Sequence, residues 1–299
     1  MIIPVIQNLL SSTLRMSTVL VFPALGGIAS EVVGVLNIAL EGKMLIGSFV
    51  AVAVSYYTGS SLTAVLAAMF VGGILGWLLV ASHLRFRADP IVIGLAINIL
   101  AMGITIFLLK SFFGVRGALA SPQIVGIPQA PFGKLSQISF VGPLLFGQTL
   151  LVYVAVLGVP ALHLVLYGTK FGLRARGVGE NTSGAKALGI NIDGVRYLWV
   201  SMTGVLAALG GAYLALGQLN MFVENMTNGR GYIALAAVIV GRGRPWRTFA
   251  ACLIFGFAES IQINLQLLRL PNQFVQMIPY LATILILIGV AIRRRGVAR

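Results

Sequence analysis

Apolar runs of roughly twenty residues recur along almost the whole chain, and that is the length a helix needs to cross a membrane. Nine such runs are read, at 14–30, 34–58, 61–82, 91–110, 145–167, 197–219, 229–245, 248–267 and 274–292. Charged residues make up only 9% of the sequence, against about a quarter in a soluble domain. The expected fold is therefore an all-α polytopic membrane protein of about nine transmembrane helices. The first residues lack the basic region, short apolar core and small-residue site of a cleavable secretory signal. The lone Cys252 lies in an apolar run, which excludes a disulfide framework and reads as a packed thiol.

The net charge of +14 is a matter of sidedness rather than of nucleic acid. The stretches 83–90, 168–196, 241–247 and 293–299 hold 14 of the 21 Lys and Arg residues. Arg15, Lys110, Arg116, Lys134, Arg230 and Arg269 fall on the opposite side, and Lys43 falls inside a run. Basic loops stay in the cytoplasm, so 168–196 and the C-terminus are expected there, with the N-terminus outside. The excess charge also suits anionic lipid, and no nucleic-acid partner is required. The stretch 111–144, rich in Gly and Pro, reads as an external loop.

Within this apolar chain, "EVVGVLNIALEGKML" (31–45) carries Glu31, Glu41 and Lys43 in or beside a proposed span. Lipid would penalise each of those charges by several kcal/mol. "GVLNIALEG" (34–42) is echoed by "GRGYIALAA" (229–237), each following a long apolar run and preceding two more. With the topology above, the first four and last four spans run in opposite directions, with 145–167 linking them. The layout is that of inverted repeats, 13–110 and 197–292, around the cytoplasmic loop 168–196 and before a basic tail 293–299. Glycine- and polar-interrupted segments in corresponding positions are expected to be broken helices beside a central path.

Intramembrane polar residues face the bundle interior, and Asn37, Glu41, Asn98, Gln218, Asn228 and Tyr232 are the candidates. For each, a helix–helix hydrogen bond worth about 1 kcal/mol stands beside a role in the pathway. Glu41 and Lys43 are two apart and do not face each other on one helix. Tyr232 or Phe49 offers an aromatic face for stacking, and Asn37 or Asn228 a side-chain amide for hydroxyls. Glu224 and Arg230, in "NMFVENMTNGRGY" (220–232), are either contacts for an external partner protein or solvated rim charges. In 167–199 there is no phosphate loop, and His83 and His163 are isolated, so neither a nucleotide nor a metal is expected on this chain. "SGAKALG" reads as a short helix capped by Asn181, Thr182 or Ser183 and stopped by Gly189, lying on lipid or docked into a partner's groove.

The stretches "EVVGVLNIALEGKMLIGSF" (31–49), "IVIGLAINILAMGIT" (91–105), "GLRARGVGENTSGAKALGINI" (172–192), "LGGAYLALGQLNMFVENMTNGRGYIALAAVIVGRGRP" (209–245) and "IPYLATILILIG" (278–289) together resemble one family. It is the permease subunits of bacterial ABC importers of the ribose and simple-sugar class, and within it the nucleoside-importer branch. The resemblance covers most of the chain from Thr13 to Gly289 and is weakest over 111–160. It implies a type II ABC importer-like permease in the bacterial inner membrane, paired with an identical or paralogous second permease. An extracytoplasmic binding protein delivers the solute, and a cytoplasmic ATPase carries the ATP-Mg that drives transport. It also implies that 179–190 is the coupling helix, with Gly179, Glu180, Asn181, Ala185, Leu188 and Gly189 at the ATPase and Glu180 and Asn181 suited to cap it. The chain departs from the family at Val32 and Val33, where Arg-Ser is usual, and at Lys43, where Met is usual. Two rival readings are an ion-coupled secondary transporter, which needs a cation or proton site for which Glu41 is the candidate, and an intramembrane enzyme, for which the seven dispersed acids provide no cluster.

Overall fold

The computed structural model describes residues 2–130, 147–266, 277–285 and 288. Ten α-helices are found among them: α1 (Ile2–Val32), α2 (Leu40–Thr58), α3 (Ser61–Phe86), α4 (Pro90–Phe113), α5 (Leu150–Gly168), α6 (Lys170–Glu180), α7 (Thr182–Ala187), α8 (Ile192–Ala212), α9 (Arg230–Gly241) and α10 (Pro245–Gln266). A π-helical turn, Tyr213–Leu219, prolongs α8, and residues 278–285 are also helical. Among the described residues, two three-residue strands, β1 (Ala118–Ala120) and β2 (Met221–Val223), pair antiparallel, a departure from an all-helical chain.

Among the described residues, six helical stretches are long and apolar enough to cross a membrane: Gln7–Val32, Ser61–Phe86, Pro90–Phe113, Leu150–Gly168, Ile192–Leu219 and Pro245–Leu265. The chain is thus an α-helical multi-pass membrane protein. Two of the nine expected spans take another form. The run 34–58 is helical only from Leu40, and 229–245 is a 12-residue helix, about 18 Å long at 1.5 Å per residue. Its end is set by left-handed backbone at Arg242 (φ 53°) and Gly243 (φ 62°), which apolar periodicity does not reveal. Nine of the nineteen residues of the expected last span, 274–292, lie outside the described residues, as do 131–144 of the external loop and the basic tail 293–299.

Membrane helices gain little from apolar burial against one another, because lipid is equally apolar; they associate through small residues that allow close packing. The α3–α8 crossing is built this way. A Cβ added to Gly204 would strike the carbonyl of Gly72, and one added to Gly76 would lie 2.6 Å from the carbonyl of Val200. Hydroxyls close other crossings: Thr203 Oγ1 donates to the carbonyl of Gly26 (2.8 Å), and Ser48 Oγ donates to that of Gly211 (2.9 Å).

The crossings place the loops. Antiparallel contacts of α8 with α3 and α1, and of α1 with α10, bring the end of α3, helices α6 and α7, and the α9–α10 turn to one end of the molecule. That end carries the basic stretches 83–90, 168–196 and 241–247. At the opposite end the described part of the 111–144 loop is anchored. Ser55 Oγ exchanges hydrogen bonds with the backbone of Val125 (2.9 Å each), and the rings of Phe49 and Phe222 meet edge to face at 5.3 Å. Gly204→Val is expected to abolish the monodisperse peak of a fluorescent fusion in detergent. Gly103→Ala, where no atom lies within 4 Å of the added carbon, should leave it intact.

Candidate functional site

Helix α1 stops at Val32 because Gly34 (φ 77°) turns the chain. Its N–H bonds the carbonyl of Glu31, and that of Val35 bonds the carbonyl of Ser30, the paired bonds of a glycine C-cap. Residues 33–39 then run without helix, yet Val33, Val35, Asn37 and Ala39 are almost fully buried. Irregular backbone inside a membrane protein must find its partners within the protein. Asn98 of α4 supplies several of them: its Oδ1 accepts from Gly42 N (2.8 Å), and its Nδ2 donates to Ile38 O (3.1 Å) and Tyr232 Oη (2.9 Å). Asn37 Oδ1 accepts from Ala39 N (3.1 Å) and from Lys43 Nζ (3.3 Å). Lys43 is wholly buried, with Asn37 as its hydrogen-bond partner among the described residues.

Glu41, in the first turn of α2, reaches the start of α9. Its Oε1 accepts from Gly229 N (2.8 Å) and its Oε2 from Gly231 N (2.7 Å). The first N–H groups of a helix lack internal partners and carry partial positive charge, so a carboxylate there replaces the water it has lost. Gly231 is required by this approach, because a Cβ would meet the backbone of Glu41. The N-termini of α2 and α9 thus abut inside the protein, at the two echoed segments.

Beside this junction lies a polar cavity of about 150 Å³, lined by Asn228, Arg230, Ile233, Glu259, Gln262, Pro279 and Tyr280. Arg230 Nε pairs with Glu259 Oε1 (2.6 Å), and Arg230 Nη1 donates to the carbonyl of Met226 (3.1 Å). Tyr280 Oη donates to the carbonyl of Asn228 (2.8 Å). Glu259 is 5% exposed, and its Oε2 has no partner among the described residues. Sequence patterning singles out Glu41 as an intramembrane acid but not Glu259, Gln262 or Tyr280. The signal was present, since Glu259 is one of only seven acids and sits in an apolar run.

The other candidates are distributed around this centre. Tyr232 is 43% exposed, whereas Phe49 is buried edge-on between Phe113 and Phe222. Gln218 Nε2 donates to the carbonyl of Arg15 (2.9 Å). Glu224 Oε1 accepts from Gly117 N (2.7 Å), clasping the β1–β2 ribbon, so Glu224 and Arg230 do not meet.

At the basic end, Asn181 Oδ1 accepts from Gly184 N (2.8 Å) and caps α7, while Glu180 closes α6. Gly189 (φ 73°) ends α7 with the same bond pair that ends α1. Leu188 is 81% exposed, and Ala185 faces inward. Gly179 packs so closely on the end of α1 that a Cβ would strike the carbonyl of Val32. Arg196 links the same places, with Nε to the carbonyl of Val33 (3.4 Å) and Nη2 to Thr182 Oγ1 (3.5 Å).

Residues 9–287 match the family described as branched-chain amino acid transport system, permease component. The chain belongs to this family. It is 37% identical to the guanosine ABC transporter permease protein NupQ of Bacillus subtilis, over 96% of this chain and 93% of that one. To the nucleoside ABC transporter permease protein NupC of Lactococcus lactis it is 34% identical, over 96% and 93%. To a putative glucose ABC transporter permease protein of Haloferax volcanii it is 32% identical, over 97% and 93%. No solved structure matches the chain. The ABC importer permease expected from the motifs is therefore what the chain is: a membrane transport subunit.

Glu41→Ala leaves two helix-terminal N–H groups buried without an acceptor. A hydrogen bond to a charged group is worth about 1.5–3 kcal/mol, so the loss should be about 3 kcal/mol or more. Thermal unfolding of the purified permease should show a clear drop in Tm, and Glu224→Ala, at the part-exposed ribbon, a much smaller one.

Proposed function

We propose that this permease forms half of the translocation pathway of an ATP-driven importer for a nucleoside or related simple sugar. The observation that carries this reading is the junction of two helix N-termini around Glu41, with a polar cavity beside it. Discontinuous helices whose positive ends meet inside the membrane are a common way to build a solute site. The guanosine and nucleoside permeases among the relatives favour a nucleoside, and the glucose permease keeps a sugar in the class.

In this reading 13–110 and 197–292 are inverted repeats, joined through 111–144, the span 145–167 and the loop 168–196. The basic end faces the cytoplasm of a bacterial inner membrane, with the C-terminus on that side. Asn37, Glu41, Phe49, Asn98, Asn228 and Tyr232 surround the path. Glu41 and Asn98 hold the junction, while Asn228 and Tyr232 offer exposed groups to solute. The cavity residues Glu259, Gln262 and Tyr280 join them as acceptors and donors for sugar hydroxyls. The ribbon end, near Glu224 and Arg230, receives an extracytoplasmic binding protein. A second permease, identical or paralogous, completes the path.

The α6–α7 turn, residues 179–189, meets a cytoplasmic ATPase that binds ATP-Mg. Leu188 is the exposed anchor, and Gly179 and Arg196 carry its movement to the end of α1 and the break at 33–39. A few anchors buried on docking dominate the energy of such a contact.

Reconstituted with its ATPase and binding protein, the system should take up labelled guanosine or ribose only with ATP inside the vesicles. Uptake that persists without ATP and collapses with an ionophore would replace this reading by ion-coupled transport. Glu259→Gln should lower solute uptake about tenfold while the protein still assembles. Leu188→Asp should instead weaken ATPase binding, measured by co-purification, and lower uptake with it.

A further inference from the structure

A second cavity, of about 420 Å³, opens at the basic end, away from the junction. It lies between the end of α5 and the start of α10 and is lined by His163, Tyr167, Arg244, Trp246 and Arg247. Arg244 and Arg247 are both exposed and have no acidic partner among the described residues. His163 Nδ1 is buried without a hydrogen-bond partner among them. Tyr167 is flanked by His163, with ring centroids 4.8 Å apart, and by the Arg176 guanidinium, 4.8 Å from its ring centre. Nothing in the transport reading uses these groups.

Three features identify what would fill the cavity. Two unpaired guanidiniums and an imidazole call for a ligand with anionic oxygens, and Arg is well suited to phosphate. Trp246 is 52% and Tyr167 44% exposed, aromatic rings of the kind that settle at headgroup depth. From the cavity, exposed apolar stripes run along both helices, with Leu164 and Leu157 on α5 and Ile254 and Phe257 on α10. A soluble phosphate has no use for those stripes, whereas acyl chains would lie along them.

We propose that this cavity binds the phosphate headgroup of an anionic glycerophospholipid in the leaflet at the basic end. Its acyl chains lie on the exposed faces of α5 and α10. The lipid then bridges α5 to the α9–α10 turn, which contains Arg242 and Gly243, next to Glu31 at the end of α1. Basic pockets between membrane helices are a known form of lipid recognition, in which each cation near the surface adds appreciably to binding.

The permease complex, purified in mild detergent and stripped of lipid, would be given phosphatidylglycerol or phosphatidylcholine and examined by native mass spectrometry. Wild type should retain phosphatidylglycerol and not phosphatidylcholine. Arg244→Gln/Arg247→Gln should lower retention about tenfold. Arg85→Gln/Lys170→Gln, with the same change in net charge at exposed positions of the same end, should not. Equal retention in all three proteins overturns the proposal. So does displacement of the lipid by millimolar inorganic phosphate, which would assign the cavity to a soluble anion. Photolabelling of the unmutated complex with a diazirine-bearing phosphatidylglycerol is independent of any folding defect. Label should concentrate on 157–167 and 246–257, and label spread evenly over the helices, or blocked there by a second permease, overturns the proposal.

Discussion

The carboxylate of Glu41 sits where a membrane protein can least tolerate a bare charge, and the protein is arranged so that the charge is not bare. Its two oxygens take the N–H groups of Gly229 and Gly231, from a helix that begins nearly two hundred positions later in the chain. Both sides of the contact need it. The carboxylate loses its water on burial, and the start of α9 has N–H groups that no helix can satisfy internally. The consequence is steric as well as electrostatic, because only glycine at 231 allows the two backbones so close. A single bidentate contact therefore joins the two echoed segments, and the break at 33–39 exists in order to deliver Glu41 to that place.

The break is itself connected outward. The backbone of Val32 and Gly34 rests on Gly179, and the carbonyl of Val33 receives the guanidinium of Arg196, which also reaches Thr182 at the start of α7. Two of the positions that depart from the usual family pattern, Val32 and Val33, lie at this contact, and they engage through backbone atoms that any side chain would supply. A displacement of α7 of about an ångström has no slack to absorb it at Gly179, where a single methyl group would not fit. That tight joint leads to Asn37, then to Lys43 and Glu41, all buried.

The apolar runs, the basic end, the Asn181 cap and the Gly189 stop were legible because each depends on residues close in sequence. The break at 33–39 was legible for the same reason, through Gly34 and a polar residue inside an apolar run. The misread features depend on distant partners or on backbone angles. Arg230 looked like a rim charge until α10 brought Glu259 against it. The run 229–245 looked like a full span, because nothing in its hydropathy marks the left-handed turn at Arg242. Asn98 could be read either as structure or as pathway, and the choice turns on Ile38, Gly42 and Tyr232, which lie on three different segments.

Polar groups in this protein fall into two sets, and the division bears on where solute can bind. Glu41 has both oxygens engaged, and Asn98 has its oxygen and its amide nitrogen engaged, all with protein atoms. Neither can offer a hydrogen bond to solute without first releasing a backbone group into a place that water does not reach, which costs about 1–3 kcal/mol each time. Glu259 Oε2 has no partner among the described residues, and it lines one cavity with the side-chain amides of Asn228 and Gln262. A hydroxylated solute entering that cavity would gain hydrogen bonds with none broken. Glu41 and Asn98 hold the junction together, and the acceptor oxygen of Glu259 that remains free stands one step away from it, in the cavity beside the start of α9.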